Sequence, residues 1–401
     1  MAPRIYADHA ATTPVRDEVI EAMIPYLGTH GFNASSPYAE GRAARAALDD
    51  ARRRVAGVLG AKPREIVFTG GASEADNLAI VGAARAARDR GNHVVTAASE
   101  HHAVLHAVER LRDDGFEVTV LGVDRDGRVD PAAYRAALRD GTILVALMLA
   151  NNELGTIHPI AALAAEARER GILFHCDAVQ APGRLLLDVG ELGVDLLAIS
   201  AHKFYGPKGV GMLYVRDGTA LAPLVVGGGQ EFGLRAGTEN VSGIVGLARA
   251  LELAAAELPA ESARLARMRD GFERAIVAAE PEARVNAVGS PRLPNLSSIS
   301  FPGLDAATVL VRLDLAGVAV SAGSACAAGA TTASHVLRAI GAPLRERSGT
   351  LRFSFGKLSS EQDVERLQTM VPEILAQVRV AAPELGMLAS GSSARLSEVR
   401  S

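Results

Sequence analysis

The sequence predicts an α/β fold: a large domain with a mostly parallel sheet sandwiched by helices, joined to a smaller α+β domain. Three observations carry this expectation. The middle of the chain repeats short Val/Ile/Leu runs, each followed by a polar or glycine-rich break and an Ala/Arg/Glu-rich stretch with helical spacing. Past about residue 255 that rhythm changes to more widely spaced strands with helices between and after them. The 401 residues are too many for one small core and fit two domains.

In chain order, residues 65–69 (EIVFT) read as a strand running into Gly70-Gly71 and an Ala-rich helix. Residues 93–97 (HVVTA) read as a strand before a helix over 102–112. Further strands are expected at 116–120, 143–149, 172–175 and 196–200, with 209–215 (GVGMLYV) as a returning strand. A long helix over 251–279 leads out of the large domain, and 295–301, 318–321 and 350–355 supply strands of the small one. The expected boundaries are 15–255 for the large domain and 1–14 with 256–385 for the small one. Residues 386–401 are expected to form a flexible tail, being rich in Ser, Ala, Gly and Arg.

Bulk properties exclude several classes. The chain is 48% hydrophobic and 22% charged, with a net charge of -4. This gives no electrostatic case for nucleic acid or an anionic membrane. No apolar run approaches the roughly 18 residues that span a bilayer, and the first residues have no signal-peptide core. The expected location is the cytoplasm. Two cysteines, Cys176 and Cys326, do not make a disulfide framework in a chain this long. Only four lysines occur: Lys62, Lys203, Lys208 and Lys357. Chemistry that needs a deprotonatable amine must choose among them, since arginine stays charged.

In open α/β sheets, ligands sit beyond the carboxyl ends of the strands. After residues 65–69, Gly70-Gly71-Ala72-Ser73 offers small residues, free N–H groups and a hydroxyl. These suit a phosphate, or equally an ordinary capped turn. After the next strand, His101 is a stacking or proton-shuttling imidazole, or a solvated helix-start residue. A metal reading would add His102 and His106, which share a helix face, but the His-Glu-x-x-His zinc signature is absent. Asp177 ends an apolar strand, where it suits a cationic partner such as a protonated pyridine nitrogen, or a helix N-cap. Lys203 follows the strand at 196–200, at the ligand-facing edge, and is the best placed of the four amines. Anion cradle, stacking ring, aspartate and amine are the parts that a pyridoxal-phosphate site needs.

At these residues the chain resembles the cysteine desulfurases of the NifS/IscS type, within the class V aminotransferases and fold-type-I pyridoxal-phosphate enzymes. The matching stretches include 6–14 (YADHAATTP), 67–80 (VFTGGASEADNLAI), 151–155 (NNELG), 175–180 (HCDAVQ), 200–209 (SAHKFYGPKG), 227–240 (GGGQEFGLRAGTEN), 321–326 (SAGSAC), 336–341 (VLRAIG) and 351–356 (LRFSFG). The resemblance implies that Lys203 carries pyridoxal phosphate as a Schiff base, that Asp177 pairs with the ring nitrogen and that His101 stacks on the ring. It implies phosphate contacts from Ala72, Ser73, Ser200 and His202, and from Thr238 across a homodimer. Asn152 and Gln180 would lie near the ring's phenolic oxygen. Arg352 would hold the carboxylate of L-cysteine, with Asn33 and Asn152 nearby.

Cys326 lies in a stretch of small residues, 321–329 (SAGSACAAG), with little to bury its thiol. The resemblance makes it the sulfur acceptor, so that L-cysteine yields L-alanine and a persulfide on Cys326. The persulfide would pass to iron–sulfur cluster assembly or another thiolation acceptor. No metal is expected in the isolated enzyme, although Cys326 could transiently ligate a cluster with a scaffold partner. A selenocysteine lyase or an aminotransferase-like enzyme is the alternative reaction. Ala34 stands where the family often has proline, and 327–335 departs from the family's usual text.

Overall fold

The computed structural model describes residues 3–323 and 334–397, with side chains to residue 380. Its strands are β1 (Ile5–Tyr6), β2 (Ile66–Thr69), β3 (His93–Ala97), β4 (Glu117–Leu121), β5 (Thr142–Met148) and β6 (Leu173–Asp177), then β7 (Leu196–Ser200), β8 (Gly211–Val215), β9 (Arg284–Val285), β10 (Leu296–Ser300), β11 (Val318–Ala319) and β12 (Thr350–Ser354).

Seven strands form the main sheet in the order β2-β8-β7-β6-β5-β3-β4. β8 runs antiparallel to both neighbours, and the remaining pairs are parallel. The central strands β5, β6 and β7 are near-continuous apolar runs because helices cover both faces. One face packs Val145, Phe174 and Ile199 against the helices Ala39–Leu59 and Val241–Ala279. The other packs Val94, Leu144 and Leu213 against Leu78, Val104 and Leu111.

A second core lies around the antiparallel sheet β12-β10-β9 and the parallel pair β1-β11. It gathers Ile5, Leu265, Phe272, Ile299, Phe353 and Leu375. The helix Val241–Ala279 serves both cores: Ile244, Leu247 and Leu251 belong to the first, Leu265, Met268 and Phe272 to the second.

This helix begins ten residues before the expected position 251. Asn240 caps it by accepting from Gly243 N at 3.0 Å. Gly243 and Gly246 lower helix propensity in that first part. A Cβ on Gly246 would meet Met23 Sδ at 2.6 Å, so close packing against the helix Asp17–Leu27 outweighs propensity. The final helix, Glu361–Ser397, continues through most of the stretch expected to be a loose tail. The expected strands occur within one or two residues of their predicted ends, with 318–321 halved to β11.

Candidate active site

β3, β5, β6 and β7 run parallel, so their carboxyl ends open on one edge of the sheet. A cavity of about 520 Å³ lies there. Its wall brings together Ala72, Ser73, His101, Asn152, Asp177, Gln180, Ser200, His202, Lys203 and Arg352.

The turn from β2 into the helix starting at Ala72 forms one wall. A Cβ on Gly211 of β8 would lie 2.7 Å from the carbonyl carbon of Gly71, so only glycine lets this turn settle on the sheet. Lys203 ends a short 3₁₀ turn, Ala201–Lys203, that follows β7. Its Nζ donates to the carbonyl oxygens of Ala10 and Ala11 at 2.8 and 2.7 Å. The neighbouring His202 places Nδ1 3.1 Å from Thr12 Oγ1. Burial, then Lys203 and Lys208, lower the His202 pKa to about 4.

Asp177 is the last residue of β6 and is buried. Its Oδ1 accepts from Val179 N at 3.0 Å. Burial, and next the carboxyl of Asp76, raise its pKa to about 7. Asp76 also lines the cavity and lies 3.0 Å from His175 Nε2. Burial raises Asp76 and lowers His175, so the two meet as a neutral acid and a neutral imidazole rather than as an ion pair.

His101 is the N-cap of the helix His102–Asp113, with Nδ1 accepting from Ala103 N at 3.1 Å. The ring proton therefore resides on Nε2. Burial, then Lys203, lowers its pKa to about 4, which keeps the imidazole neutral at physiological pH. Arg352 comes from β12 of the second core and is 1% exposed. It donates to Asn152 O at 2.9 Å and to Asp8 Oδ1 at 2.8 Å.

Two expected residues stand apart. Asn33 is exposed, does not line the cavity, and accepts from Ser35 N at 2.8 Å. Thr238 is exposed and also does not line it. Cys326 lies outside the described residues, as do 398–401. Cys176, the other thiol, is fully buried in β6, where desolvation raises its pKa well above the usual value. Among the described residues, no group of His, Cys, Asp and Glu side chains is arranged to hold a metal ion.

Sequence reasoning assigned no role to Asp8, Ala10, Ala11, Thr12, Asp76 or Lys208. The stretch 6–14 was a visible motif, but its use as a carbonyl rest for Lys203 depends on a fold that joins residues 192 and 193 positions apart.

The site's chemistry fits pyridoxal phosphate. An amine and a buried carboxyl line the cavity, and the buried Gln180 Oε1 has no hydrogen-bond partner among the described residues. The aminotransferase class-V family matches residues 5–367. The chain belongs to the aminotransferase class-V family. "Cysteine desulfurase IscS" of Dictyoglomus turgidum is 47% identical over 383 residues, covering 96% of this chain and 97% of that one. "Cysteine desulfurase IscS" of Methanosarcina thermophila is 45% identical, covering 94% of each. The solved structure of a NifS-like protein superposes with a TM-score of 0.88 at 36% identity, covering 93% of this chain and 99% of that one. Pyridoxal phosphate is the cofactor of this family's enzymes.

Proposed function

We propose that this chain is a pyridoxal-phosphate-dependent cysteine desulfurase in which Lys203 holds the cofactor and Cys326 accepts the sulfur of L-cysteine. The observation that carries the reading is the single cavity that puts the Lys203 amine beside Asp177, His101 and Arg352. The names of its close relatives support the reaction.

Bound pyridoxal phosphate supplies an electron sink for the pair left when the substrate Cα proton is removed. Asp177 is the partner for its ring nitrogen, since a cation there compensates a buried carboxylate. Ala72, Ser73, Ser200 and His202 would hold its phosphate, and Asn152 and Gln180 its phenolic oxygen. Arg352 binds the substrate carboxylate, its fork geometry suiting two oxygens. The Lys203 amine would move the Cα proton, and neutral His101 would stack on the cofactor ring and offer Nε2–H. The Cys326 thiolate attacks the substrate sulfur. An S–S bond forms, the substrate C–S bond breaks, and its electron pair takes a proton to complete L-alanine.

The same reading divides the chain into a large unit, 15–255, and a small one from 1–14 and 256–385. Two separate apolar cores joined by one helix support that division. It also makes the enzyme a cytoplasmic homodimer. Thr238, exposed and away from its own cavity, would then reach the partner's phosphate. The persulfide would pass to an iron–sulfur scaffold or to another sulfur-acceptor protein.

Alanine release from L-cysteine tests the reading. The protein as isolated should carry a visible absorbance band and release alanine, and Lys203→Ala should lose both. An unchanged spectrum in Lys203→Ala contradicts the assignment of the amine.

A further inference from the structure

We propose that Glu153 is a positioning residue for sulfur transfer, joining the chain just before and just after residues 324–333 on one buried carboxyl. The inference rests on the assignment of Cys326 as sulfur acceptor.

Glu153 is the chain neighbour of the cavity-lining Asn152 and is 1% exposed. Its backbone is fixed: Asn151 Oδ1 accepts from the N–H groups of Glu153 and Leu154, each at 2.8 Å. Its Oε2 accepts from Ser334 Oγ at 2.5 Å. Ser334 is the first described residue after the segment, and it caps the helix His335–Ala339. On the other side stands Gly323, the last described residue before it, with φ +73°. A Cβ there would come within 2.8 Å of Glu153 Oε2 and 3.4 Å of Ser334 Cβ. Both ends therefore lie against the same oxygen, Ser334 through a hydrogen bond and Gly323 by close approach.

Each end is also tied to a site residue. Ser321 and Arg352 exchange backbone hydrogen bonds at 3.3 and 2.7 Å, which links the first end to the substrate arginine. His335 Nε2 donates to Glu100 O at 2.9 Å, which links the second to the peptide before His101. Glu153 is the group common to both ends. Burial raises its pKa, so an amide, which keeps an acceptor oxygen, is the near-isosteric replacement. Joining the two ends fixes where the thiol-bearing segment leaves and re-enters the fold. That lowers the orientational cost of bringing the thiol to the substrate sulfur.

The test uses cofactor-loaded protein and two readouts, both by peptide mass: the rate of persulfide formation on Cys326 with excess L-cysteine, and the rate of Cys326 alkylation by iodoacetamide without substrate. Buried Cys176 serves as the internal unreactive thiol. Glu153→Ala should slow persulfide formation about tenfold or more and change the alkylation rate, while cofactor absorbance and KM for L-cysteine stay within about twofold. Glu153→Gln should restore both rates. Should Glu153→Ala fail to fold, Ser334→Ala removes the same hydrogen bond and should show the same split. Wild-type rates in Glu153→Ala, or in Ser334→Ala where that variant stands in for it, overturn the proposal, as does a Glu153→Gln variant as defective as Glu153→Ala. If the wild type forms no persulfide, the assignment of Cys326 fails first, and the alkylation rates still decide whether Glu153 positions the segment.

Discussion

Arg352 and Asp8 form an ion pair at 2.8 Å, although 344 residues separate them in sequence. The arginine side chain is 1% exposed and the aspartate 15%. The pair fastens the segment that follows β1 to β12 and aims the guanidinium into the cavity.

Arg352→Ala leaves Asp8 without its cation, a loss on the order of 3 kcal/mol for a largely buried pair. Its melting temperature should fall along with its affinity for L-cysteine. Arg352→Lys keeps the charge but loses the planar fork. It should retain most of the stability while KM for L-cysteine rises at least about tenfold. An unchanged KM in the lysine variant removes Arg352 from substrate binding.

The cofactor-free protein should lose stability as pH rises above about 7.5. Burial raises Asp177 to about 7 and Asp76 to about 8, and raises Glu100 and Glu153 as well. Unfolded carboxyls titrate near about 4. The folded state therefore binds more protons than the unfolded chain up to about pH 8, and stability falls with pH across that window. His9, His101, His175 and His202, lowered to about 4, and His93, His102, His158 and His335, lowered in the same direction, act oppositely: they add stability as pH rises through the unfolded value of about 6.5, an effect spent by about pH 7.5. Denaturant midpoints should decline from about pH 7.5 to about pH 8.5, and Asp177→Asn should flatten the decline. A midpoint that rises over this range contradicts the buried acid cluster.

A dimer is the expected state in solution, with Thr238 completing the partner's phosphate site. Sedimentation should give twice the mass of one chain. Thr238→Ala should weaken cofactor retention about tenfold, the value of one hydrogen bond to a charged group. A monomer that retains its full cofactor complement contradicts this assignment.

Much of the fold is readable from local pattern. The strands β2, β3 and β7 match their predicted runs closely because each is a short apolar stretch ended by Gly, Ala or Ser. β6 runs two residues beyond its expected end because Asp177 still pairs in the ladder with Met148. A polar residue at a strand terminus carries no periodic signal. The cavity's strand-end residues were likewise visible, since each follows an apolar run: Ser73, His101, Asp177 and Lys203. What the pattern could not show is long-range chemistry. The carbonyls under Lys203, Asp8 against Arg352, and Glu153 against Ser334 depend on packing between distant segments. Glycines at 243 and 246 hid the start of the long helix: Gly243 leaves room for the Asn240 cap, and Gly246 packs against Met23 of another helix.

The account stands most directly on one thiol. The loaded enzyme should be incubated with L-cysteine, digested, and analysed by mass for the peptide that contains Cys326. One added sulfur atom on Cys326, together with L-alanine in solution and neither product in Cys326→Ser, is the predicted result. Normal alanine release by Cys326→Ser, or added sulfur on Cys176 alone, contradicts it.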